Sequence, residues 1–247
     1  MVVSKKRMSS RMVSKQQQLR WLQEGRGQGQ LDTYKPFLNV RDNKSLTERS
    51  SRVYGYKTQR THHLFSDLEL ALFLALDRIQ DIEDIREQIP LDLETTVQIA
   101  EDLKIPHPIE QNVHQIITST FFIVNHSPLK PPCFVVKALK STHLELKRTI
   151  AQLELERRYW EQKNIPWFLF TEKDISSTAI DNIKWLYPLN KVNNDIYTFS
   201  KMDFYQNYFL QKPELTLIEL SKYLDTHYSM EAGASLLEIR ELLAQRY

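Results

Sequence analysis

The stretch from Ile117 to Glu172 constrains the fold more than any other part of the chain. It opens with ITSTFFIVNHSPLKPPCFVVK, two apolar runs around a polar, proline-bearing turn, and this predicts a hairpin with strands near 116–124 and 133–139. HLELKRTIAQLELERRYWEQK follows, with Leu146, Ile150, Leu153 and Trp160 at helical spacing, and predicts a helix near 143–163. The apolar run IPWFLFTE then predicts another strand. Strand, strand, helix, strand is the order of a mixed α/β sheet covered by helices.

The flanking segments extend this frame. SDLELALFLALDRI, from Ser66, is apolar on nearly every side and predicts a buried helix. Ser66 and Glu69 form an S-x-x-E capping box at its start, which gives Glu69 a purely structural reading. IEDIREQIPL predicts a strand that stops at Pro90. Near the N-terminus a short helix over roughly 15–24 precedes EGRGQGQ, whose Gly25, Gly27 and Gly29 miss the spacing of a dinucleotide fingerprint and read as a flexible joint. Beyond WLYPL the chain is polar and then helical. TLIELSKYLDTHY and SLLEIRELLAQRY carry capping boxes at Thr216/Glu219 and Ser235/Glu238, and SMEAGA joins them into a helix-turn-helix-like unit. Three regions are predicted: an arm and short helix over 1–30, an α/β domain over 31–172, and a helical domain over 173–247.

With 247 residues and 41% hydrophobic content, the chain has material for one core and a small second domain. No apolar run approaches the ~18 residues of a membrane span and no secretory signal core opens the chain, so a soluble, cytoplasmic protein with no membrane partner is expected. Cys133 has no internal disulfide partner, and the seven histidines lack zinc-ligand spacing. The net charge of +2 hides an uneven distribution. Lys5, Lys6, Arg7, Arg11, Lys15 and Arg20 all fall in the first 20 residues with no acid among them. Such an arm is either a segment that follows a phosphate backbone or a solvated terminus. Lys5, Lys6, Arg7 and Arg26 are the first candidates for DNA contacts. Arg157 and Arg158 on the long helix are others, although Glu154 with Arg158 and Arg157 with Glu161 are spaced as ordinary helix ion pairs.

Side chains on a strand alternate faces, so Val135 and Lys137 point the same way. A metal-dependent nuclease uses such a lysine beside paired acidic groups, yet this hairpin holds no aspartate or glutamate. The stretches HHLFSDLELALFLALD, DIREQIPL, LELERRYWEQKNIPWFLFTEKDI and NIKWLYP, with EGRGQGQ near the start, closely resemble TnsA, the endonuclease subunit of the heteromeric Tns-type transposase. The resemblance covers roughly residues 15–190. It implies a restriction-endonuclease-like mixed sheet with flanking helices and a small winged-helix-like C-terminal domain, here without a full wing. It further implies a bacterial cytoplasmic setting and cleavage with Mg²⁺ at the 5′ ends of a DNA element. The implied partners are transposon-end DNA, a TnsB-type transposase that cuts and joins the 3′ ends, and a TnsC-type ATPase.

In that family a glutamate on the first buried helix, an aspartate in an S-T-D-F strand and a Q-V-K triplet form the active site. Position by position these fall on Glu69, Thr120, Val135 and Lys137. The glutamate and lysine are retained, leaving Glu69 as a weak metal ligand on its own. Threonine offers only a neutral hydroxyl, and valine offers no ligand atom. Removing a residue that merely orients a ligand already costs about 10 to 100-fold in metal affinity or activity, so a catalytically impaired subunit that yields cointegrates is expected. The alternative is an active Mg²⁺-dependent nuclease with a relocated ligand drawn from Asp67, Asp84, Glu87, Asn125 or His126. A stand-alone DNA-binding regulator is a third reading. Residues 213–247 oppose it, since Glu214, Glu219, Asp225, Glu231, Glu238 and Glu241 outnumber Lys222, Arg240 and Arg246.

Overall fold

The computed structural model describes residues 13–42, 49–110, 112–189 and 196–245. The chain divides into two compact units, Met1–Ser176 and Ser177–Tyr247. No helix among the described residues is long and apolar enough to cross a membrane.

The first unit is built on a four-stranded mixed sheet. Strands β3 (Ile82–Pro90), β6 (Thr118–Asn125), β7 (Cys133–Ala138) and β8 (Trp167–Phe170) lie side by side in that order. The first two pairings are antiparallel, and β7 pairs in parallel with β8. That parallel pairing needs a crossover, supplied by helix α4 (Lys147–Gln162). The predicted strand, strand, helix, strand order is therefore the order observed.

Each face of the sheet is covered. On one side lies α2 (Asp67–Asp77), whose Phe73 ring stands 6.4 Å from that of Phe121. Beside it sits a hairpin of β1 (Ser51–Gly55) and β2 (Arg60–Leu64). On the other side α4 packs with α3 (Leu93–Asp102), and Leu91, Ile99, Val135, Leu155, Tyr159 and Trp160 form a shared core. Residues opposite one another in an antiparallel pair share a face. Accordingly Phe121 and its partner Glu87 face the β1–β2 side, whereas Phe122 meets Trp160, at 5.7 Å between rings. A small hairpin of β4 (Ile109–Glu110) and β5 (Val113–His114) completes the strands among the described residues.

Helix α1 (Lys15–Gln23) is integral to this unit, with Trp21 buried against Phe37 and the Gln18 side chain bridging His114 O and Ile116 N. The glycine segment after it is packed, which corrects the flexible joint expected there. Gly27 N–H donates to Lys35 O and Lys35 N–H donates to Gln28 O. Gly27 has φ +81° and presses on Pro90, so a Cβ there would collide with the proline ring.

The second unit is helical throughout its described residues: α5 (Ser177–Leu186), α6 (Ile196–Gln211), α7 (Leu217–His227) and α8 (Ala234–Gln245). Tyr205, Leu220, Leu224, Ile239 and Leu242 form its core. The capping box at Thr216/Glu219 is present. The one expected at Ser235/Glu238 is not. Helix α8 begins at Ala234, so Ser235 already lies inside it, and Asp225 of α7 accepts from Gly233 N–H and Ser235 N–H. Glu238 turns away to Lys201 and the Tyr205 hydroxyl.

Candidate active site

Three of the four positions that the nuclease reading singles out meet where β6 runs beside β7. Each is committed to the fold. The Thr120 side chain is buried, and its hydroxyl accepts from Ala138 N–H at 3.1 Å, so it serves as a strand-pairing acceptor. Val135 is fully buried in the core under α4. Lys137, two residues on, emerges on the same side. Its Nζ donates to Thr118 O at 2.9 Å and lies 3.1 Å from Glu156 Oε2.

Glu156 is the residue that sequence reasoning missed. It is 1% exposed, and its other oxygen accepts from Trp167 Nε1 at 3.2 Å. The carboxylate therefore neutralises the lysine and ties it to α4 and β8. The available signal was its place on the inward stripe of α4, beside Leu155 and one turn before Tyr159 and Trp160. A charged side chain on such a stripe needs a buried partner. Lys137 and Glu156 line a cavity of about 260 Å³ with Thr118, Gln152 and Leu153.

Glu69 stands at the start of α2, on the helix that covers the opposite face of the sheet. Ser66 Oγ accepts from Glu69 N–H, as a capping box requires. The returning bond differs from expectation, because Glu69 Oε2 accepts from Phe65 N–H at 2.7 Å instead of from Ser66. The side chain thus has a helix-capping task, with 9% exposure.

The sites considered for a relocated carboxylate do not converge. Glu87 is fully buried and grips Arg60 with both oxygens, at 2.8 and 2.6 Å. It also accepts from His62 Nδ1 at 2.8 Å and from His63 N–H. Burial pushes the Glu87 carboxyl up, but the interactions with His62 and Arg60 outweigh it and hold it far below the usual carboxylate range. Asp84 is held by Arg86 and by Leu31 N–H through one oxygen, while its second oxygen is buried without a partner. Asn125 donates to Pro131 O, and Asp67 is exposed in the first turn of α2. Among the described residues, no three His, Cys, Asp or Glu side chains come together as a metal site.

The candidate DNA contacts sort themselves by what already engages them. Lys5, Lys6 and Arg7 lie outside the described residues. Arg26 is engaged within the fold: its side chain, 13% exposed, contacts Glu24, Asp42 and Phe37 O and lies over the Trp21 ring. Arg157 and Arg158 are each shared between Glu154 and Glu161. The hydrogen bonds from Arg157 and Arg158 hold the Glu154 carboxyl down at about 2.

Comparisons with known proteins agree with this architecture. Residues 80–172 match a family model described as TnsA-like endonuclease N terminal, and residues 174–247 match one described as TnsA endonuclease C terminal. Over 229 residues the chain is 39% identical to the Transposon Tn7 transposition protein TnsA of Escherichia coli, covering 92% of this chain and 83% of that protein.

Proposed function

The chain belongs to the TnsA endonuclease family, and from that premise we propose that it serves DNA transposition as a subunit that has lost 5′ strand cleavage. It keeps the scaffold and the family's partner contacts, with transposon-end DNA, a TnsB-type transposase and a TnsC-type ATPase. The observation that carries this reading is the use made of the two substituted positions. Thr120 is a strand-pairing acceptor and Val135 is core, so neither side chain is an idle remnant beside a working site.

The family implies Mg²⁺, and the residues present do not fit it. A hard dication is held by several oxygen ligands with carboxylates among them. Here one position offers a neutral hydroxyl already bonded to an amide, and another offers a hydrocarbon. The nearest carboxylate to Lys137 is spent on that lysine, and Glu69 caps its own helix. What these residues do is structural. Lys137 and Glu156 fasten α4 to β6 and β7, and Thr120 fastens the end of β7 to β6.

If only the 3′ ends are cut and joined, the product is a cointegrate. The test is a reconstituted reaction comparing the unaltered chain with a Thr120→Asp/Val135→Gln variant whose folding is checked by circular dichroism. Cointegrates from the first and simple insertions from the second are expected. Simple insertions from the unaltered chain, abolished by Glu69→Ala, would overturn the reading.

A further inference from the structure

Two kinds of basic side chain occur on α4. Near its C-terminal end Arg157 and Arg158 are saturated by Glu154 and Glu161. In its first turn Lys147 and Arg148 are exposed and have no carboxylate partner among the described residues. Helix stability does not explain them, since cations are disfavoured in a first turn and this turn holds no acid to offset them.

The position of Arg148, next to the exposed Lys147 at the start of α4, is informative. Arg148 lines a cleft of about 550 Å³ that runs beside the Lys137 cavity and shares Gln115, Thr149 and Gln152 with it. Val13 lines the same cleft, and Gln115 Nε2 donates to its carbonyl. Arg11 stands two residues before Val13 in the sequence. The one acid lining the cleft, Glu110, has an oxygen shut away from solvent. Inside the cavity the charge of Lys137 is cancelled by Glu156.

We propose that Lys147 and Arg148 form a phosphate track that carries the backbone of duplex DNA across this cleft, toward the degenerate site, without reading its sequence. Arg157 and Arg158 take no part in it. The proposal rests on the reading of this chain as a DNA transposition subunit. It names where the DNA lies, whatever becomes of its 5′ strand. A subunit that no longer cleaves still has an architectural task, and these free cations supply it.

The experiment measures binding of the full chain to a short duplex across a salt series. Each neutralised phosphate contributes about 0.9 to the slope of log affinity against log salt. Lys147→Ala and Arg148→Ala are each expected to weaken binding roughly three- to tenfold at low salt and to reduce the slope by about 1, uniformly across duplex sequences. Arg157→Ala and Arg158→Ala are expected to leave the slope unchanged. An unchanged slope in the first pair, or an equal loss in the second, overturns the track. So does a failure of the unaltered chain to bind duplex at all. None of these outcomes touches the loss of cleavage, which is read from strand breaks and not from affinity.

Discussion

The sheet carries a buried carboxylate–cation pair on each face, and the two are built differently. On the β1–β2 side, Glu87 is enclosed, with both oxygens on Arg60, His62 beside it and the Tyr34 hydroxyl on its backbone carbonyl. On the α4 side, Glu156 meets Lys137 through one oxygen at the wall of a cavity, and the lysine side chain is 23% exposed. The first pair is a lock between hairpin and sheet. The second stands at the wall of an open cavity, near Thr120, which serves strand pairing, and Val135, which is core. Enclosure, more than the chemistry of the pair, separates the two.

Removing one partner of a fully buried pair strands the other, so Glu87→Gln should cost about 3–5 kcal/mol, read as a shift of the urea midpoint. Glu156→Gln should cost less, about 1–3 kcal/mol, because Lys137 can turn toward the cavity and water. Equal costs would erase the distinction between the two faces. A pH series sharpens it. The folded Glu87 carboxyl lies below its ordinary 4.5, so its contribution is fully present above that value and is lost as pH falls toward the folded one. The stability gap between the unaltered chain and Glu87→Gln should therefore be constant at neutral pH and narrow below about pH 4. A gap that widens with acid contradicts the assignment. The smallest effect is expected on the outer side of α4, where Arg157→Ala or Arg158→Ala should cost under about 1 kcal/mol, measured by thermal melting.

Much of this architecture was legible before the fold was known, because β3, β6, β7, β8, α2 and α4 are marked by apolar runs or apolar spacing. The β1–β2 hairpin was not. Its inward positions include Arg60 and His62, which read as surface residues until Glu87 is placed between them. The second-unit cap on α8 was misread for a similar reason, since the capping carboxylate of Asp225 comes from another helix. The glycine segment looked loose because spacing does not reveal that Pro90 fills the space beside Gly27. Around Lys137, strand alternation places Val135 on the same face, whereas Glu156 was hidden in an alternating LELE stretch. Local sequence shows which residues stand at a site, but not which of them are already bonded to one another.

The central claim is that these bonds have replaced cleavage. It is tested most directly by mapping 5′-strand breaks at end-labelled transposon ends, with Mg²⁺ and the partner transposase present. The account predicts that the unaltered chain gives no more 5′ breaks than Glu69→Ala. Breaks at the 5′ ends that disappear in Glu69→Ala would contradict it.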